Sequence, residues 1–434
     1  MRPYGRCVAD APGELQRSIT LPQAVALYGG AVVGAGVLIL PGVAASVAGP
    51  ASLVAWGFDG LLGLPIAFTF AALASRFPDA GGVAAFASRA FGPAVGAIIG
   101  WFYFVAASVA QALVALTGAH YAADALDLPP SATFAVAGGI LAVSVAANAR
   151  GLRTSAGLQL ILSASVAVVL LTAVVVAIPE VDAGRLGPFL PSGWSAVGHA
   201  AVLLFFAYFG WEAITHLSSE FRNPARDVPR ATVLAVILVT ALYLGVAFAV
   251  VSTATYGTAS LDRIAVARVL GKGLGVSAES VAAVAAVAIT LGTTNAFVAA
   301  TSRLGYALGR DGALPAILSR VSGRGVPVVS VLVVGAIGWL GLLLAYVREW
   351  GAEAFLVMPT SLVIVVYLVG MGSGVRLLSG HDRLLAAIAA LLCVAIMPFA
   401  GVTLAIPLAV AAAACAYRLI SRYLRRPRRS SRRS

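Results

Sequence analysis

The stretch GGAVVGAGVLILPG, Gly29 to Gly42, decides how this chain reads. It is apolar throughout, yet Gly34, Ala35 and Gly36 sit at its centre and Pro41 follows. Each Gly costs a helix interior roughly 1 kcal/mol relative to Ala. Small residues also let a helix break, which frees backbone N–H and C=O groups. At membrane depth such groups persist only where protein or a polar ligand satisfies them. Taken alone, the stretch admits two readings: a helix broken at Gly34 and Gly36, or close small-xxx-small packing from Gly30 to Gly34.

The rest of the chain requires lipid as solvent. Its 434 residues are 60% hydrophobic and 11% charged, with a mean hydropathy of +0.97. A soluble domain carries roughly 25% charged residues, so this chain could not cover its own surface in water. Apolar runs fall near 21–48, 51–74, 95–119, 131–149, 156–179, 196–219, 231–255, 277–305, 327–346, 352–375, 384–401 and 403–420. That makes twelve predicted spans, each close to the ~20 residues that cross the hydrocarbon as a helix. The organisation expected is a cytoplasmic segment over 1–20, one transmembrane domain over 21–421 and a basic cytoplasmic tail over 422–434. The N-terminal segment lacks a signal-peptide pattern. Cys7, Cys393 and Cys415 are too few and too scattered for a disulfide framework or metal cluster. No cofactor is expected.

The net charge is +12, and of the 29 basic residues only Lys272 is not an arginine. An even number of spans puts both termini on one side. With that side cytoplasmic, 24 basic residues fall on inner segments and 5 outside: Arg185, Arg263, Arg268, Lys272 and Arg348. The asymmetry fits the positive-inside rule. Eight arginines lie between Arg418 and Arg433, read as a topology signal and a contact with anionic lipid rather than a nucleic-acid surface. The outer loop near Pro179 to Pro191 is an external lid or a passive connector.

The sixth run, FFAYFGWEAITHLSSEFRNPARDVPRA from Phe205 to Ala231, carries a second anomaly. Gly210 lies mid-span and Glu212 follows. An ionisable group inside a span is costly and marks function by default, although a buried hydrogen-bonding role is the plain alternative. His216, one α-helical turn on, is a structural histidine or part of a proton relay. Asp59, in the second span, serves a proton path or caps a kink beside Gly57 and Gly60. Interruptions in spans one and six are five spans apart, the offset of a five-plus-five inverted repeat. In that architecture half-helix N-termini aim their positive ends at a substrate carboxylate near the midplane. The fold expected is an all-α membrane protein of twelve transmembrane helices: a 5+5 repeat plus two C-terminal helices.

From about Leu21 to Leu378 the chain resembles the amino acid–polyamine–organocation superfamily of transporters, which has the LeuT-type fold. GAVVGAGV at 30–37 looks like its first-helix signature. FPDAGGVAAFASRAFGPAVGAIIGW, Phe77 to Trp101, is similar to its loop after helix two. NARGLRTSAGLQ, Asn148 to Gln159, fits the start of helix five. SSEFRNPARDVPRA, Ser218 to Ala231, is the most specific match, and SRLGYALGRDGALP, Ser302 to Pro315, resembles the segment after helix eight. Within the superfamily the helix-six stretch looks most like bacterial exporters of methionine and branched-chain amino acids.

The resemblance implies that backbone around Val33, Gly34, Ala35 and Gly36, with Ala31 and Val32 beside it, binds a substrate carboxylate. Carbonyls near Phe206, Ala207 and Phe209, ahead of Gly210, would take the ammonium. Phe206 and Phe297 match aromatic gates; read without the family they are core or lipid-facing rings. Two departures stand out. Some sodium-independent members carry a lysine where this chain has Val166, so no lysine ammonium stands in for sodium. The tyrosine after the double glycine is replaced by Ala84. The implied activity is secondary transport of leucine, isoleucine, valine and methionine, with Glu212 the proton-carrier candidate. Apolar pockets separate substrates differing by one methylene by only about 1–3 kcal/mol, so such substrates overlap. Sodium coupling through Thr293 and Thr294 and helix-one carbonyls is the rival within transport. A non-transporting scaffold or sensor of the same fold is the rival outside it. Nothing resembles a channel filter, and His120, His199, His216 and His381 lack metal-ligand spacing. A monomer and a homodimer are both compatible with the sequence.

Overall fold

The computed structural model describes residues 18–34, 36–126, 128–208, 210–258, 261–262, 264–274, 278–348, 352–396 and 405–424. Among these residues the protein is all helical. The one piece of β pairing is an isolated parallel bridge between Ile19 and Phe221. The α-helices, in chain order, are α1 (Leu21–Val32), α2 (Gly36–Ala48), α3 (Ser52–Arg76), α4 (Val83–Phe91), α5 (Pro93–Leu126), α6 (Pro130–Ala149), α7 (Leu152–Ala177), α8 (Gly193–Phe205), α9 (Pro224–Ser252), α10 (Ala265–Leu274), α11 (Ala278–Arg310), α12 (Val328–Arg348), α13 (Ala352–Leu377), α14 (Gly380–Ile396) and α15 (Ala405–Leu424).

Seven helical segments among the described residues are long and apolar enough to cross a bilayer: Gly36–Arg76, Pro93–Ala123, Ser131–Ala149, Gly157–Glu180, Pro224–Ser252, Ala283–Arg310 and Val328–Arg348. Shorter apolar helices, Ser361–Leu377 and Ala405–Ser421, accompany them. Neither the expected first span nor the sixth is one continuous helix: the first is divided into α1 and α2, with α2 running on into the segment Gly36–Arg76, and the sixth into α8 and two 3-10 turns. Two short helices, α4 and α10, were not among the expected spans. Residues 1–17 and 425–434, most of the expected end segments, lie outside the described residues.

Helix starts follow local chemistry. The Thr20 N–H donates to Gln23 Oε1 at 3.0 Å ahead of α1, closing one of the donors left open at a helix start. Pro93, Pro130 and Pro224 begin α5, α6 and α9, where a missing N–H costs nothing. The main core runs through the bundle, with two smaller clusters beside it, one around Leu116 and Leu141 and one around Tyr306. Its most extensive interface joins α5 to α11, followed by α3 with α9.

Charged contacts gather at the two ends. At one end Glu220 pairs with Arg303 at 2.8 Å, both fully buried. Its carbonyl accepts the Ser18 and Ile19 N–H groups at 2.9 and 3.1 Å. Arg310 reaches Asp79 at 3.2 Å, and the Asp79 N–H donates to Ser218 Oγ at 3.3 Å. At the other end Ser46 Oγ donates to Asp262 Oδ1 at 2.7 Å, and the Gly257 N–H donates to the same oxygen at 3.0 Å.

Candidate functional site

The first helix does break where the glycines stand. α1 stops at Val32, Val33 turns away with φ −75° and ψ 76°, and α2 restarts at Gly36. The Gly34 N–H returns to the Val32 carbonyl at 2.8 Å, a three-residue turn of the inverse γ kind. Gly30 answers to the other reading of the same stretch. A methyl group there would overlap the Gln159 amide on α7, so Gly30 serves packing while Gly34 and Gly36 flank the break.

The sixth segment breaks in parallel. After α8 come a 3-10 turn over Phe206–Tyr208, then Gly210 at φ +130°, then a 3-10 helix over Ala213–Glu220. A Cβ on Gly210 would stand 2.6 Å from the Ala31 carbonyl oxygen and 3.1 Å from the Val32 nitrogen. Only glycine tolerates both that φ and that approach. The two broken segments therefore meet backbone to backbone.

The freed carbonyls are held by hydroxyls from neighbouring helices. Tyr243 Oη on α9 lies 2.7 Å from the Val32 carbonyl and 3.0 Å from that of Ala207. Its single proton serves one or is shared, so acceptor capacity remains for another donor. Thr293 Oγ1 on α11 donates to the Val33 carbonyl at 3.2 Å. Tyr367 on α13 meets the Gly210 N–H at 3.0 Å and hydrogen-bonds to Glu212 Oε2. The Tyr103 hydroxyl on α5 interacts with the same carboxylate. Glu212 is fully buried, so it sits in a cage of tyrosines beside the second break.

Ala31, Val32, Val33 and Ala207 are buried at this junction, and Gly34, Gly36 and Gly210 belong to its backbone. Ala35 and Phe209 lie outside the described residues, as does the side chain of Phe206. Phe297 is buried in the core on α11. The Thr294 hydroxyl is buried without a hydrogen-bond partner among the described residues. Val166, in the position of the absent lysine, lines an apolar cavity of about 180 Å³ with Gly29, Gly30, Val33, Leu242 and Ile289. A larger cavity of about 440 Å³ lies at the end of the bundle near Ala84, Ser88, Asp311 and Arg418, away from both breaks.

One expected relation fails. Residues 213–220 wind as a 3-10 helix, at 3.0 residues per turn rather than 3.6. His216 is thereby rotated about 120° from Glu212 instead of about 40°. Its Nδ1 lies 3.4 Å from the Ala80 carbonyl and its ring packs on Tyr103 at 4.6 Å. Tyr103, not helical spacing, links the two.

Sequence reasoning missed the tyrosines. Tyr28, Tyr103, Tyr208, Tyr243 and Tyr367 are all buried in mid-bundle. A hydroxyl inside an apolar span needs a partner, and that was the usable signal. It also missed a buried amide chain. Asn148 Nδ2 donates to Asn295 Oδ1 at 3.1 Å, Asn295 Nδ2 to Gln159 Oε1 at 2.9 Å, and Gln159 Nε2 to Ser163 Oγ at 3.1 Å. Ser163 Oγ donates in turn to the Ala26 carbonyl of α1 at 2.9 Å.

With this geometry in place, comparison with known proteins is decisive. Residues 19–418 match the amino acid permease family. The chain belongs to that family. The permease is 36% identical over 407 residues to the uncharacterized amino acid permease YecA of Bacillus subtilis, covering 93% of this chain and 96% of that one. It is 29% identical over 392 residues to the L-methionine/branched-chain amino acid exporter YjeH of Escherichia coli, covering 89% and 92%. It is 28% identical over 260 residues to the branched-chain amino acid permease BcaP of Bacillus subtilis, covering 55% and 56%. Membership points to a multi-pass membrane transporter of amino acids rather than an enzyme.

Proposed function

We propose that this permease moves neutral aliphatic amino acids, namely leucine, isoleucine, valine and methionine, across the cytoplasmic membrane by alternating access, in the direction of efflux and linked to protons. The observation that carries the reading is the backbone junction of the two breaks. Carbonyls of Val32 and Ala207 converge on Tyr243 there, and that of Val33 is met by Thr293, a set suited to a substrate ammonium. The start of α2 at Gly36 supplies N–H groups of the kind that bind carboxylates. An apolar cavity adjoins the break at Val33, suited to an aliphatic side chain. The names of the exporter and of the branched-chain permease among the relatives agree with this substrate class.

The same reading holds twelve spans in a 5+5 repeat with two further helices, and both termini in the cytoplasm. Two observations support it. The tightest interfaces, α5 with α11 and α3 with α9, join segments five spans apart. Ser18, Asp79, Glu220, Arg303 and Arg310, assigned to inner segments, do meet at one end. Glu212, buried against Gly210, is the proton carrier in this scheme.

Proteoliposomes loaded with labelled leucine or methionine test it. Flux that responds to a pH gradient and is lost in Glu212→Gln is the expected result. If neither amino acid moves under a gradient or in exchange, the substrate class is wrong. The unpartnered Thr294 hydroxyl beside Thr293 favours one second reading, sodium-coupled uptake. Replacing sodium with choline abolishes flux in that case and leaves it unchanged in ours.

A further inference from the structure

Asp59 on α3 is 2% exposed, and its Oδ2 meets no hydrogen-bond partner among the described residues. A carboxyl kept only to cap a kink would spend that oxygen on a donor. No cationic group among the described residues pairs with it. Its titratable neighbour is Tyr208, whose hydroxyl lies against Gly60, the next residue of α3. Thr240 and Tyr243 of α9 flank the same stretch, Thr240 against Gly60 and Tyr243 against the Trp56 ring at 5.2 Å. The other elements packed on α3, namely α2, α8, α13, α14 and the 3-10 helix that carries His216 and Glu220, bring no charged or titratable group to Asp59 among the described residues.

Position along α3 separates Asp59 from Glu212. Gly60 faces Tyr208, while Gly63 faces Tyr208 and Trp211. Asp59 therefore stands on the α8 side of Gly210, and Glu212 on the other. Tyr208 Oη donates to the Trp56 carbonyl at 3.3 Å. Its ring stands edge-on to Tyr243 at 5.2 Å, and Tyr243 holds the Val32 and Ala207 carbonyls.

We infer that Asp59 is a second proton-binding group of the transport cycle, set across the two breaks from Glu212 and acting through Tyr208. This rests on the proton-linked reading above. Ionised Asp59 draws the Tyr208 hydroxyl away from the Trp56 carbonyl, because a charge-assisted hydrogen bond is about twice as strong as a neutral one. When Oδ2 takes a proton from solution the charge disappears, and Tyr208 returns to the carbonyl. The ring movement changes the face on which Tyr243 packs, and so its grip on the junction. The proton leaves Oδ2 again before the next turn. Asp59 is a positioning residue in this scheme and touches no substrate.

Leucine flux against pH in proteoliposomes tests this with Asp59→Asn, Asp59→Glu and Tyr208→Phe. We expect Asp59→Asn to lose at least ten-fold of the gradient-driven flux and to flatten the pH profile. Leucine–leucine exchange and the leucine-induced thermal shift should persist in it. Asp59→Glu should restore the profile, and Tyr208→Phe should flatten it. A wild-type profile in Asp59→Asn overturns the inference. If that variant is not recovered folded, a wild-type profile in Tyr208→Phe overturns it instead. A wild-type protein whose flux ignores pH removes the proton-linked reading itself, before any variant is compared, and Asp59 falls with it.

Discussion

Gly210→Ala is the sharpest perturbation of the junction. At φ +130° an alanine sits where side chains are rarely tolerated, at a cost of about 1–3 kcal/mol. Its Cβ would also stand 2.6 Å from the Ala31 oxygen and 2.8 Å from the Ala31 carbonyl carbon. Those are backbone atoms, so the clash is relieved only by separating the two broken segments, at roughly 1–3 kcal/mol for overpacking. Together the penalty is roughly 2–6 kcal/mol. Gly34→Ala is the matched control. Its Cβ would meet Thr293 Cγ2 at 3.4 Å, an ordinary contact, so its stability cost is roughly 1 kcal/mol or less. Thermal unfolding of the purified protein in detergent, read by intrinsic fluorescence, separates the two. We expect a clear downward shift for Gly210→Ala, loss of the leucine-induced shift, and near wild-type unfolding for Gly34→Ala. Equal unfolding temperatures for Gly210→Ala and wild type would refute the backbone junction.

Three further outcomes follow from the same geometry. Tyr243→Phe removes the donor serving the Val32 and Ala207 carbonyls, worth roughly 0.5–1.5 kcal/mol per hydrogen bond; weakened leucine binding with little change in fold is expected by calorimetry. Arg303→Ala strands the buried Glu220 carboxylate and should destabilise by about 3–5 kcal/mol, whereas replacing both partners with apolar residues of similar volume should cost far less; a double-mutant cycle on unfolding temperature reads the difference. Gly30→Ala should displace Gln159 from Asn295 and lower stability, and Gln159→Ala added to it should recover part of the loss because the obstructing amide is gone. Independent, additive effects at Gly30 and Gln159 would contradict that contact.

Membrane residence was legible without coordinates, because a chain with 11% charged residues cannot be solvated by water over its whole surface. The place of the first break was marked but not decided: Gly34 and Gly36 interrupt an otherwise apolar run, which reads as a break or as close helix packing until the fold is known. Gly210 and Glu212 were legible for a related reason, since an ionisable side chain inside lipid must be accounted for. What local sequence does not encode is the partner of each freed group. Tyr243, Tyr367 and Thr293 come from helices far along the chain, and their hydroxyls look like ordinary polar decoration until packing aims them at Val32, Gly210 and Val33.

Helical spacing misled at His216 because the choice between a 3-10 and an α winding depends on what surrounds the segment. Here Gly82, at φ +48°, lays the loop after α3 directly against Thr215 and His216. Gly30 carried two readings that no pattern could separate, and the side chain of Gln159 on α7 decided between them. Sequence alone determined the solvent, marked the two candidate breaks and picked out the acids inside spans, since each follows from the cost of polar groups in hydrocarbon. Tertiary structure alone decided that the two breaks touch at Ala31 and Gly210 and that tyrosines hold them, because complementarity between distant segments exists only once they are packed.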